Sequence, residues 1–272
     1  MFKVLSTSDA DVHFEKTLLC AHHGFGKTTQ AIYVQEKYGK TLIISLEGGL
    51  KSLSLVAIDV IPVSSWNDAH APEDGVFSFR GAMKMIASPE FKAMGYKAIF
   101  IDSVTELSDQ LMEFLEEKHK NNKNTFDKWG DNSRLMIGAL KWIRDLNMHV
   151  VCTCLLAEEE DDNGQTTYWP MVKGGKVSKQ IPALFDHVFC GKRHTEEVNG
   201  KLVVSRYLVT DQVKGHYAKA RDPRRRLRPI EKTGDITELF SKMAMPDDEW
   251  AEHLNTINKL ASVEAAKTEK KL

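Results

Sequence analysis

The sequence predicts an α/β fold: a mainly parallel β-sheet with helices on both faces, built around a phosphate-binding loop. Three observations predict it. Leu18–Thr29 reads as a strand, a glycine-containing loop and a Gly-Lys-Thr that opens a helix. Short apolar runs then alternate with amphipathic helical stretches as far as residue 156, the pattern of strands joined by helical crossovers. One of those runs, Ala98–Ile101, ends in an aspartate, Asp102, where a loop-bound cation has to be oriented.

The elements follow in order. Lys16–Cys20 is strand-like and Lys27–Lys37 is helical. Thr41–Ser45 is a short apolar run, hence a buried parallel strand. Val56–Val63 is a third extended segment containing Pro62, and Arg80–Ala87 is a helix. Lys97–Ile101 is the next buried strand. Ser103–Lys120 places Val104, Leu107, Leu111, Met112, Phe114 and Leu115 on one helical face. Ser133–Leu146 is a second amphipathic helix, and His149–Leu156 is a strand. The composition then changes. Glu158–Asp162 is a run of five acids, Asn163-Gly164 signals a turn, and Thr166–Trp169 returns as the other arm of a hairpin. Asp186–Arg193 and Lys201–Leu208 are later strands around the Asn199-Gly200 turn, and Asp247–Ala266 is a C-terminal helix.

The loop carries the chemistry. His23, Gly24, Phe25, Gly26, Lys27, Thr28 and Thr29 form a cradle of backbone N–H groups at a helix N-terminus, suited to nucleotide phosphates. Lys27 reaches the terminal phosphates and the Thr28 hydroxyl ligates Mg²⁺. The usual pattern opens with glycine five residues before the second glycine; here that residue is Ala21. Asp102 is the partner carboxylate for Mg²⁺, although Asp102 or Ser103 also fits a cap on the following helix. Glu47 stands at the end of the second strand, followed by Gly48-Gly49, and a carboxylate there suits a general base that polarises the attacking water. A solvent-exposed turn glutamate is the alternative.

Charge and composition exclude several classes. The 272 residues are 42% hydrophobic, enough for a full core, and carry a net charge of −1, so any nucleic-acid contact comes from a local patch. Cys20, Cys152, Cys154 and Cys190 lie in apolar stretches without a Cys-x-x-Cys pair, reading as reduced core residues of an intracellular protein. No apolar run spans a bilayer, and no signal peptide pattern opens the chain, so a cytoplasmic protein without membrane contact is expected. Two basic elements face a polyanion: Lys173, Lys176 and Lys179 around Gly174-Gly175, read as a mobile loop, and Arg224–Arg228. Tyr168 and Trp169 either stack on bases or pack within their hairpin. The acidic run at 158–162 points away from any such path or binds a partner.

The strand ends Ser45-Leu46-Glu47-Gly48-Gly49 and Ile101-Asp102-Ser103-Val104-Thr105-Glu106-Leu107, together with the P-loop, resemble the RecA-like ATPases. Over roughly residues 14 to 228, adding His149–Cys154, Lys176–Phe185 and Tyr217–Asp222, the chain resembles the small RecA-core proteins of bacteriophages, the Sak-type recombinase or single-strand annealing group. The resemblance implies a RecA-like core over residues 1–235, with a hairpin-rich later part, and a helical extension over 236–272. It implies ATP and Mg²⁺ as ligands, Glu47 as catalytic base, and Lys219 and Arg221 as cations that reach the ATP of a neighbouring subunit. Single-stranded DNA is then the substrate and the assembly is a head-to-tail ring or filament, with a single-strand DNA-binding protein as a further partner and the host cytoplasm as location. The strand end at Thr153–Leu156 carries no glutamine or histidine to sense the γ-phosphate; Leu155 or Leu156 stands there. A P-loop motor or replication accessory, a small-molecule kinase, and a nucleotide-responsive module with little hydrolysis remain as other readings.

Overall fold

The computed structural model describes residues 6, 13–67, 77–122, 124–160 and 163–256. The P-loop strand is β1 (Lys16–Ala21), followed by α1 (Gln30–Tyr38) and β2 (Thr41–Ser45). Strand β3 (Asp59–Ser65) and the two-residue β4 (Phe77–Ser78) form one edge of the sheet. Pro62 is accommodated there because β3 is flanked on its outer side by β4 alone, where few ladder bonds are needed. Helices α2 (Phe79–Ile86) and α3 (Pro89–Ala93) lead to β5 (Ala98–Asp102), then α4 (Val104–Lys118), α5 (Thr125–Arg144) and β6 (His149–Cys154).

The predicted strand over residues 149–156 is in fact two. It breaks at Leu155, and β7 (Leu156–Glu160) pairs antiparallel with β8 (Thr166–Pro170) in a separate two-stranded sheet. The next basic segment is no open loop: Gly175–Gln180 forms helix α6, entered through Gly174 at φ +92°. A long hairpin, β9 (His187–Val198) and β10 (Lys201–Val209), turns at Asn199-Gly200, both with positive φ as a tight two-residue turn requires. Strand β11 (Ile230–Glu231) and helix α7 (Ile236–Ala244) follow, and residues 247–256 are helical. The remainder of the expected C-terminal helix, and Asp161 and Asp162 of the acidic run, lie outside the described residues.

Among the described residues the main sheet runs β11-β10-β9-β1-β6-β5-β2-β3-β4, parallel from β9 to β4, with β10 and β11 antiparallel at the other edge. This is the expected α/β core, a mainly parallel sheet with helices on both faces, with β6 lying between the P-loop strand and the strand that ends in Asp102. Period-two alternation builds a core on each face. Leu18, Cys20, Ile99, Ile101, Val150 and Cys152 pack under α2, α4 and α5. Leu19, Ala21, Phe100, Val151 and Phe189 pack under α1 and α7, where Ile236, Leu239 and Phe240 of α7 are buried. All four cysteines are free and buried. Among the described residues no helix is long and apolar enough to cross a membrane.

Candidate nucleotide-binding site

The P-loop leaves the carboxyl end of β1. Ala21 ends that strand in register with Gly191 of β9, in extended backbone, so the Cβ that departs from the usual glycine costs nothing. Gly26 has φ +101°, and a Cβ on it would lie 2.9 Å from Thr29 Oγ1, so no other residue fits. Thr29 Oγ1 closes the turn by donating to the Gly26 carbonyl at 2.7 Å. The Phe25 side chain is buried, with its ring against Gly191, where a Cβ would lie 2.7 Å away. Phe25 therefore anchors the loop and offers a ligand only its backbone. Its carbonyl is held by Arg206 Nε at 2.8 Å. His23 is exposed; His22 approaches Glu158 at 3.3 Å and sits edge-on to Tyr168.

Lys27 Nζ donates to the carbonyls of Ala21 and His22 at 3.2 and 3.4 Å, across the mouth of the loop. Burial lowers its pKa, and the neighbouring Glu47 and Asp102 oppose that shift. Thr28 Oγ1 donates to Asp102 Oδ2 at 2.6 Å, and Thr153 Oγ1 donates to Asp102 Oδ1. Asp102 is buried, and desolvation raises its carboxyl pKa above the usual range. Thr28 and Asp102 thus bring a half-buried hydroxyl and a buried carboxylate together, hard oxygen donors that fit Mg²⁺.

Glu47 reaches this group through the sheet. Ser45 of β2 is in register with Asp102 of β5, and the N–H groups of Leu46 and Glu47 both donate to the Asp102 carbonyl, at 2.7 and 3.2 Å. Ser103 Oγ donates to Glu47 Oε1. The same Ser103 hydroxyl accepts from the Glu106 N–H at 3.3 Å, so Ser103 caps α4 and leaves Asp102 to the P-loop. Thr153 is absent from the site residues read from the sequence, and Ser103 is read there only as a helix cap, which it is. The available signal was a hydroxyl near the carboxyl end of β6, which neighbours β1, and another directly after β5. At the end of β6, Thr105 Oγ1 accepts from the Leu155 N–H at 2.9 Å, so a threonine secures the position where a glutamine or histidine was sought.

A cavity of about 650 Å³ opens beside the loop, lined by Phe25, Thr29, Tyr33, Arg206 and the Lys232–Asp235 segment among others. Gln30 ties the two sides together, donating to the Gly234 carbonyl at 2.7 Å and accepting from the Ile236 N–H at 3.0 Å.

The other candidate residues lie elsewhere. The backbone of Lys219 bonds Val188 in both directions, and Arg221 donates its N–H to His187 Nδ1 and pairs with Asp186 at 3.1 Å. His187 is in register with Thr17, four residues before the end of β1, so Arg221 lies about 13 Å or more from its own P-loop along the strand. Lys173 pairs with Asp109 at 3.1 Å, and Lys179 with Glu159 at 3.6 Å, while Lys176 is exposed. The acidic strand β7 therefore lies against the P-loop and α6 rather than pointing away, because pairing with β8 folds it back over the sheet end. Tyr168 stacks on His216 and Trp169 on Tyr217, at 4.1 and 3.6 Å between ring centroids, so both rings are used in packing. The second basic element is also engaged: Arg226 is buried, pairs with Asp247 and lies over the Trp250 ring, and Arg224 donates to the Met245 carbonyl at 2.7 Å.

A model of the AAA domain family matches residues 13–221. No curated protein matches the chain. Among solved structures, a KaiC-like protein from Pyrococcus horikoshii OT3 shares 16% identity at a TM-score of 0.38, over 77% of this chain and 81% of that one. The flagellar accessory protein FlaH from Methanocaldococcus jannaschii shares 14% identity at a TM-score of 0.35, over 72% and 79%.

Proposed function

Because this chain belongs to the AAA domain family, we propose that it is a RecA-like P-loop ATPase that hydrolyses Mg-ATP and acts on single-stranded DNA in phage recombination, by strand annealing or exchange. The observation that supports hydrolysis best is the joining of four elements at one point: Thr28 and Thr153 on the two oxygens of Asp102, with Glu47 held beside them by Ser103. In this reading the loop amides and Lys27 hold the phosphates, and the cavity beside Thr29 takes the nucleoside. Mg²⁺, bound through Thr28 and Asp102, supplies charge compensation at the transferring phosphoryl group. Glu47 accepts the proton of the attacking water at its carboxylate.

Lys219 and Arg221 are the cations that serve a neighbour's nucleotide, since neither is near the P-loop of its own chain. Subunits carrying Lys27→Ala and subunits carrying Arg221→Ala, each inactive alone, should regain part of the ATPase rate when mixed, because intact halves meet at mixed interfaces. No rescue at any mixing ratio removes the head-to-tail reading.

DNA contact is assigned to Lys173, Lys176 and Lys179. The exposed pairs to Asp109 and Glu159 are each worth about 0–1 kcal/mol, so phosphates can displace them. Binding of a labelled single-stranded oligonucleotide, followed by anisotropy, should weaken steeply with salt, with about −0.7 in log–log slope per contact. Replacing all three lysines with alanine should flatten that slope by roughly 2. No binding at low salt, with or without ATP, would move the assignment to a motor or replication accessory.

A further inference from the structure

Arg193 of β9 and Arg206 of β10 are direct cross-strand partners. Gly191, two residues before Arg193, carries the Phe25 ring, and period two puts Arg193 on the same face as Gly191. Both guanidinium groups therefore face the P-loop. Arg206 Nε holds the Phe25 carbonyl. Arg193 Nη1 lies 3.4 Å from the position a Cβ on Gly24 would take. Like charges directly opposite in a ladder destabilise it. Arg206 is offset in part by that carbonyl. The Arg193 side chain is exposed and has no hydrogen-bond or ion-pair partner among the described residues.

The register explains the placement. Gly191 is level with Ala21, so the next two residues carry β9 past the sheet end and alongside the loop. We propose that Arg193 is a phosphate-contacting residue acting within the same subunit, on the polyphosphate of the nucleotide held by Gly24–Thr29. This rests on the P-loop reading above and extends it: the Arg193 guanidinium and the loop amides converge on one polyphosphate. Arginine suits the task, because its planar fork meets two phosphate oxygens at once and never loses its charge. Arg206 is a positioning residue that fixes the loop through Phe25. Lys219 and Arg221 need a neighbouring chain to act; Arg193 does not.

The test uses the full chain and calorimetry with ATP and with inorganic tripolyphosphate, which carries the anion without the nucleoside. Arg193→Ala should weaken both ligands by about tenfold or more, the loss expected for a charged hydrogen bond. Arg193→Lys should recover part of the loss. The melting temperature without nucleotide should stay at or slightly above the wild-type value, since the side chain holds nothing else in place and its like-charge opposition to Arg206 is relieved. Affinities within twofold of wild type in Arg193→Ala, while Lys27→Ala loses ATP, would overturn the assignment and leave the P-loop reading intact. A wild-type protein that binds neither ligand would overturn both. A large drop in melting temperature with unchanged tripolyphosphate affinity would make Arg193 a structural residue of the hairpin and also overturn it.

Discussion

Glu47→Gln should abolish most turnover while leaving ATP bound. The amide keeps the shape of the carboxylate and still accepts from Ser103 Oγ, so the strand end and the cap of α4 stay in place. It cannot take a proton from water. Loss of a general base costs about 10²–10⁴-fold in rate, roughly 3–5 kcal/mol of barrier. Steady-state phosphate release, measured beside a calorimetric Kd, should show the rate falling by that factor with affinity within about twofold. A rate within twofold of wild type would return Glu47 to a turn role. The search would then pass to Glu106, whose carboxyl pKa is raised by burial and by the charges of Asp109 and Glu47.

Lys27→Ala should lower ATP affinity by an order of magnitude or more without unfolding the chain. The ammonium is half-buried and donates only to the Ala21 and His22 carbonyls among the described residues, so its removal leaves the sheet and the α1 packing untouched. Its loss has two effects on a phosphate. A charged hydrogen bond, worth about 1.5–3 kcal/mol, is gone. The negative charges of Glu47 and Asp102, which now act on Lys27, are left unopposed beside the loop. Thermal denaturation reads this directly. Ligand at a hundred times the wild-type Kd stabilises the native state by about 2.7 kcal/mol, and the variant should lose half or more of that gain at the same ATP concentration. An unchanged Kd would remove the basis of the nucleotide reading.

The order of elements was legible because it rests on local chemistry. Buried parallel strands read as apolar runs such as Thr41–Ser45 and Ala98–Ile101, and the observed strands begin and end within a residue or so of them. Asn199-Gly200 announced the hairpin that the structure contains. Short elements were missed for the same reason. Helices α3 and α6 span five and six residues, too few for a 3.6-residue period to show. Of the Lys173–Lys179 glycines, read as loop-formers, Gly174 instead supplies the positive φ that starts α6 and Gly175 is its first residue. The break at Leu155 was hidden because an apolar run says nothing about which sheet each half joins.

What the sequence by itself determined is the inventory and its local settings: a phosphate loop on β1, carboxylates at the ends of β2 and β5, and core alternation on both faces of the sheet. Those signals are contained in windows of a few residues, where backbone propensity and side-chain period act. Only the tertiary structure decided which of these groups meet. Thr28 and Asp102 are 74 positions apart, Thr153 and Asp102 51, and Arg206 and Phe25 181. Ladder register and the insertion of β6 between β1 and β5 bring them within hydrogen-bond reach. The fate of the charges was decided at the same level. Arg226 looks like Arg193 in a list of residues, yet one is buried against Asp247 and Trp250 and the other lies free over the P-loop. A cation takes its role from the carboxylates and carbonyls that packing places within a few ångströms of it, and nothing in its immediate sequence specifies them.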